Sequence, residues 1–207
     1  MTATVLTSPV TSPVEAPVDR DVPGSQQREQ LLQLGVWMFL GTVTMLFAAF
    51  TSAYLVRRGG TDWRPIVLPS VLWLNTAILG LSSVVLELGR RAAVRRRWRT
   101  ARLSFLAGMG LGIGFLGGQL VGWQVLVGQG VYIPTVPHSS FFYLLTGLHA
   151  VHLVAGLVVL AVTLPSLSTR ALALERASPA ARAGLAVTFW HFFGGVWLYL
   201  LALLSWF

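Results

Sequence analysis

Three histidines lie inside long apolar stretches of this chain, and they are the residues most able to do chemistry there. His149 and His152 are three apart in Thr146-Gly-Leu-His149-Ala-Val-His152, so on a helix they share one face. At 1.5 Å per residue, His149 falls ~15 Å below the outer end of its stretch, while His191 falls ~10 Å above the inner end of a later one. His191 therefore comes within one or two turns of His152 in depth. One histidine from each helix can hold a haem, as in a small b-type cytochrome. The other reading is that each imidazole hydrogen-bonds a neighbouring backbone or side chain, as polar groups buried in a bundle must. The pattern favours the second reading, because H-x-x-H has low specificity and neither a carboxylate nor a cysteine completes a metal shell.

Glu87 is the remaining ionisable residue within an apolar stretch, close to its end. Arg90 and Arg91 stand at i+3 and i+4, which predicts a local ion pair at the headgroup level. No Asp or Glu occupies the centre of any stretch, which argues against an ion pump or proton relay within this chain alone. Cysteine is absent, so thiol nucleophiles, disulfides, zinc fingers and iron–sulfur ligation are excluded. No nucleophile elbow, phosphate loop or dinucleotide fingerprint occurs.

The elements that must position these residues follow from composition. The chain has 207 residues, 55% hydrophobic and only 11% charged, where a soluble domain carries roughly 25% charge. Five apolar stretches, each near the ~20 residues that cross a ~30 Å hydrocarbon core, run over Leu34–Val56, Ile66–Leu88, Leu103–Val127, Ser139–Leu164 and Gly184–Trp206. The expected fold is an all-α integral membrane bundle of five transmembrane helices over residues 31–207. Residues 1–30, rich in Thr, Ser, Pro and Val, read as a disordered cytoplasmic tail, without the basic start and apolar run of a signal peptide.

All fifteen basic residues are arginine. Seven lie in the second connection: Arg90, Arg91, Arg95, Arg96, Arg97, Arg99 and Arg102. The positive-inside rule then places the N-terminus in the cytoplasm and the C-terminus outside. Arg90, Arg91, Arg95, Arg96 and Arg97 are candidates for anionic lipid headgroups. Nucleic acid is not an expected partner, because no nucleic-acid-binding fold motif accompanies them.

The third stretch is rich in glycine: Gly108, Gly110, Gly112, Gly114, Gly117, Gly118 and Gly122. Pairs such as Gly114/Gly118 let another helix approach closely, and Gln119 and Trp123, one turn apart, can supply an interhelical hydrogen bond. Most tryptophans, Trp190 and Trp197 among them, fall toward stretch ends and read as an interfacial belt.

As strings, the stretches resemble subunit III of the haem-copper oxidases. Gly35-Val-Trp-Met-Phe-Leu40, running on through Met45, Phe47 and Ala53-Tyr54, is similar to that family's first shared helix. Trp73-Leu-Asn75-Thr76 and Leu81-Ser82-Ser83 resemble its L-N-T…S-S stretch. Ser140-Phe141-Phe142-Tyr143 with Thr146-Gly147-Leu148-His149, His152 and Gly156 resembles its most specific motif, and Trp190-His191-Phe192 with Val196-Trp197 its W-H-F…V-W.

The resemblance implies a non-catalytic subunit of a proton-pumping, dioxygen-reducing terminal oxidase in the bacterial cytoplasmic membrane. Haem and copper would reside in partner subunits, with subunit I the main contact, subunit II nearby, phospholipid bound and a larger respiratory supercomplex possible. It further implies that His149, His152, Trp190 and His191 pack helices or contact lipid and ligate no cofactor. The accessory subunit of a nitric oxide reductase is a related alternative. Compared with the seven-helix form of the family, the first two helices are absent. Three acidic positions are also replaced, by Val43, Gly122 and Gly194, which removes any role resting on those acids.

Overall fold

The computed structural model describes residues 25–64, 66–133, 135–167 and 179–206. Five helices account for nearly all of them: α1 (Ser25–Arg58), α2 (Val71–Val94), α3 (Trp98–Gly128), α4 (Pro137–Thr163) and α5 (Pro179–Trp206). A 3-10 turn, Leu164–Leu167, extends α4. All five helices are long and apolar enough to cross a membrane. The fold is therefore the all-α, five-span bundle expected. The tail lies outside the described residues as far as position 24, and α1 begins at Ser25, inside the segment assigned to the tail.

Helix α5 is the hub, packed against α1, α2 and α4, while α2 and α3 form the most extensive pair. Its buried face carries Trp190, Phe193, Trp197, Leu200 and Leu204. These meet Leu72, Leu79 and Leu86 of α2, Phe105 and Phe115 of α3, and Leu145 and Leu153 of α4 in one core. The main helix contacts of α1 are with α4 and α5, and its buried face carries Leu40, Val43, Phe47 and Tyr54. Large apolar side chains such as Met38, Met45, Leu81, Ile113, Val151 and Val162 face outward on every side. That pattern suits lipid, since an apolar surface of this extent is unstable in water.

The second connection is tighter than the charge pattern suggested, whereas the first, residues 59–70, is longer. The second was expected over Gly89–Arg102 but consists of residues 95–97 alone, and Trp98, Arg99 and Arg102 already belong to α3. A Schellman arrangement makes this possible: Arg97 N–H donates to Ala92 O at 2.9 Å and Arg96 N–H to Ala93 O at 3.0 Å. The motif needs a left-handed residue, and here that residue is Arg96, with φ of 56°. The end of α3 uses the same device with Gly130 at φ 79°. Pro137 then opens α4 at a position where its missing N–H costs nothing. His138, expected in the preceding loop, is thereby inside α4.

Candidate functional site

The intramembrane polar residues form rungs between helices. On α2, Asn75, Thr76 and Ser82 face the interior of the bundle. Trp190 Nε1 donates to Ser82 Oγ at 2.8 Å, and Trp197 Nε1 donates to Thr76 Oγ1 at 2.9 Å, so two rungs join α5 to α2. Asn75 Nδ2 donates to the Phe115 carbonyl of α3 at 3.0 Å. Trp123 Nε1 donates to Thr146 Oγ1 at 3.2 Å, which joins α3 to α4. Each rung replaces a bond to water that the membrane cannot supply.

His149 is wholly buried in this interior, with its ring centroid 5.3 Å from Trp197, 6.1 Å from Phe115 and 6.3 Å from Phe193. Rings on three sides make this a packing niche, and contrary to the expectation that each imidazole bonds a neighbour, neither ring nitrogen of His149 has a hydrogen-bond partner among the described residues. His152 lies stacked on Phe193 at 5.2 Å, and Phe39 and Phe47 of α1 close around it. Its Nδ1 is 2.7 Å from the Leu148 carbonyl, so that nitrogen carries the ring proton. His191 is half-exposed, 4.0 Å from Glu87, and lines an apolar groove of about 480 Å³ between α1 and α5 with Phe47, Ala48 and Tyr199. Among the described residues no three His, Asp or Glu side chains converge as a metal site.

Glu87 makes the ion pair expected of it, at 2.7 Å from Arg90 and 2.9 Å from Arg91. At the other end of the bundle, Arg57 holds the Asp62 carboxyl below its ordinary range through a 2.7 Å hydrogen bond. His138 accepts the Ile66 N–H at 3.0 Å and stacks on Trp63 at 5.1 Å, which pins the α1–α2 connection to the start of α4.

The glycines of α3 divide into two opposite faces. A methyl group on Gly108 would overlap Leu86, on Gly112 it would overlap Trp190, and on Gly118 it would overlap Asn75 Oδ1. These three let α2 and α5 lie close. Gly110, Gly114 and Gly117 have nothing within 4 Å of such a methyl and are exposed. At about 100° per residue the second set points away from Gly108 and Gly112, while Gly118, about 40° round from Gly114, sits at the border between the two faces. The pair Gly114/Gly118 is thus split: Gly118 packs inside and Gly114 faces out. At the cytoplasmic end expected from the charges, a groove of about 660 Å³ runs between α1, α4 and α5, with Leu32, Phe39 and Val162 along it and Arg182 at its margin.

Reading the sequence alone missed the roles of Ser82, Asn75, Thr76, Thr146 and His138. The first four sit in register with the buried leucines, as in Asn75, Leu79, Ser82 and Leu86 at i, i+4, i+7 and i+11. That register is the signal that they face the bundle. Conversely, Trp190 and Trp197 are core residues and not members of an interfacial belt. Two of the three replaced acidic positions are tightly packed: Val43 is buried, and a methyl on Gly122 would lie 3.3 Å from Leu72, whereas one on Gly194 would make ordinary contact with Ser83 Oγ at 3.6 Å.

A family model described as Cytochrome c oxidase subunit III matches residues 24–207. The cytochrome c oxidase subunit 3 of Alkalihalophilus pseudofirmus is 31% identical over 172 residues, covering 81% of this chain and 82% of that one. The corresponding protein of Corynebacterium diphtheriae is 32% identical over 181 residues, covering 83% and 85%. That of Thermostichus vulcanus is 30% identical over 179 residues, covering 83% and 85%. The near-equal coverage on both sides means that these relatives are about as long as this chain.

Proposed function

The chain belongs to the cytochrome c oxidase subunit III family, and from that premise we propose that it is the non-catalytic bracing subunit of a respiratory haem-copper terminal oxidase. Reduction of dioxygen and proton pumping take place in its partners, and this chain stabilises the subunit that carries them. Its N-terminus is cytoplasmic, its C-terminus is outside, and it resides in the bacterial cytoplasmic membrane.

The observation that carries this reading is the division of the α3 glycines. The inward set is consumed in closing the bundle, while Gly110, Gly114 and Gly117 form an open groove flanked by Leu106, Ile113 and Val121. A groove of this shape takes one more transmembrane helix, because small residues let backbones meet where lipid gives no hydrophobic drive for association. We assign that helix to the large haem-copper subunit. His149, Trp190, Gln119, Trp123 and Gly118 serve as helix-packing residues. His191 borders the apolar groove between α1 and α5, and His152 packs α4 against α1 and α5 through Phe39, Phe47 and Phe193. An acyl chain suits the groove between α1, α4 and α5, and anionic headgroups suit Arg90, Arg91, Arg95, Arg96 and Arg97.

Deletion of the chain from its native host, with oxygen uptake followed over many turnovers, tests the reading. Loss of assembled oxidase, or uptake that decays faster than in the parent, is expected. Unchanged assembly and sustained turnover would overturn it.

A further inference from the structure

Where α1 stops and α4 starts, three aromatic side chains from three different segments pack together. Between ring centroids, Tyr54 of α1 stands 5.1 Å from Trp63 of the first connection and 6.0 Å from His138 of α4, and Trp63 lies 5.1 Å from His138. Tyr54 and His138 are fully buried and Trp63 is half-buried. The polar atoms Tyr54 Oη, Trp63 Nε1 and His138 Nε2 are all shut away from solvent, and none has a hydrogen-bond partner among the described residues.

Donors and acceptors in this cluster do not balance. His138 Nδ1 accepts the Ile66 N–H, so it carries no proton, and the neutral ring is protonated at Nε2. That Nε2–H is a donor, and so is Trp63 Nε1–H, which has no acceptor capacity. The two rings are stacked with their planes 21° apart. An N–H lies in its own ring plane, so neither stacked ring can donate to the other. Tyr54, tilted at 85° and 66° to them, adds a hydroxyl that both donates and accepts. Three donors thus share one acceptor, in an interior where an unmade hydrogen bond is costly.

We propose that one ordered water molecule is bound among Tyr54, Trp63 and His138 and bridges α1, the first connection and α4. Water fits the count: its oxygen accepts the N–H of both rings and one of its hydrogens goes to the Tyr54 oxygen, giving about three hydrogen bonds, as buried waters typically make. A halide can accept from the rings but leaves the Tyr54 oxygen without a donor. The route in is short. Phe141, 5.5 Å from Tyr54, also lines a groove of about 1030 Å³ whose walls include Ala53, Asp62 and Pro137, the chain neighbours of the three rings. The site is independent of which complex the chain joins.

Proton NMR of the full chain in nanodiscs tests the proposal, with the Trp63 indole signal identified by its loss in Trp63→Phe. The Trp63 indole proton is expected to show a nuclear Overhauser peak to water. That peak should persist in Tyr54→Phe, where no exchanging hydroxyl is left to relay it. Tyr54→Phe should also lower the melting temperature by roughly 2–4 °C, the shift that one hydrogen bond gives in a chain of this length. A melting temperature unchanged or raised would overturn the proposal, since removing a hydroxyl buried without a partner relieves a cost. So would a water peak lost in Tyr54→Phe, which would mean that the tyrosine oxygen itself accepts from Trp63. An indole shift that follows chloride concentration would overturn it too, by placing an anion in the site.

Discussion

At the residue scale, the tryptophans of α5 tie it to α2 by hydrogen bonds. Trp190 reaches from α5 to Ser82 on α2, and its six-membered ring fills the space left by Gly112 on α3. Trp190→Phe is expected to cost on the order of 0.6–1.7 kcal/mol from the lost interhelical hydrogen bond, with a further packing loss. Thermal unfolding in nanodiscs measures it, and Ser82→Ala in the same background should add little. Arg96 gives a prediction of opposite sign. An L-residue with a side chain pays roughly 1–2 kcal/mol for its left-handed backbone, partly offset by glycine's greater freedom when unfolded. Arg96→Gly should therefore be neutral to stabilising by about 1 kcal/mol, and Arg96→Val destabilising. The types of these residues were legible in the sequence, but their partners were not. Trp190 seemed near the end of a span because the apolar run was read from Gly184. The helix in fact begins at Pro179, which moves Trp190 roughly 16 Å along it.

At the element scale, α3 is a two-sided spacer. Its glycines were visible in the sequence as one cluster, yet the helical period alone could not say which face turned inward, because both faces carry small residues at i, i+4. Placement of α2 and α5 decides it. Gly112→Leu should unfold or strongly destabilise the chain, since overpacking there pushes on Trp190 and Leu157 and typically costs about 1–3 kcal/mol or more. Gly110→Leu and Gly114→Leu meet open space. They should leave the melting temperature unchanged or raise it, leucine being the better helix former by about 1 kcal/mol. Yet the same two substitutions should abolish co-purification with the partner helix. Equal melting and equal co-purification for Gly114→Leu would remove the groove from the docking account. The short α2–α3 turn was hidden for a different reason: its arginines look like a long solvated loop, whereas backbone hydrogen bonds close the helix pair within three residues.

At the scale of the whole molecule, five spans, their order and their apolar exterior were all legible, because the hydrocarbon thickness imposes helix length and hydropathy together. What positions one helix beside another was not, since lipid-facing and helix-facing residues are equally apolar and only small and hydrogen-bonding residues distinguish them. Among the described residues the bundle ties its helices together through a few polar rungs, while Gln119 and both ring nitrogens of His149 are buried without a hydrogen-bond partner. The role proposed for it is one of association. The most direct test is to tag the chain at its native locus, solubilise the membrane in mild detergent, and identify the co-purifying proteins by mass spectrometry and haem spectrum. A large haem-copper subunit together with its copper-binding partner is the predicted result. Recovery of the chain alone, or with a nitric oxide reductase core, would contradict it.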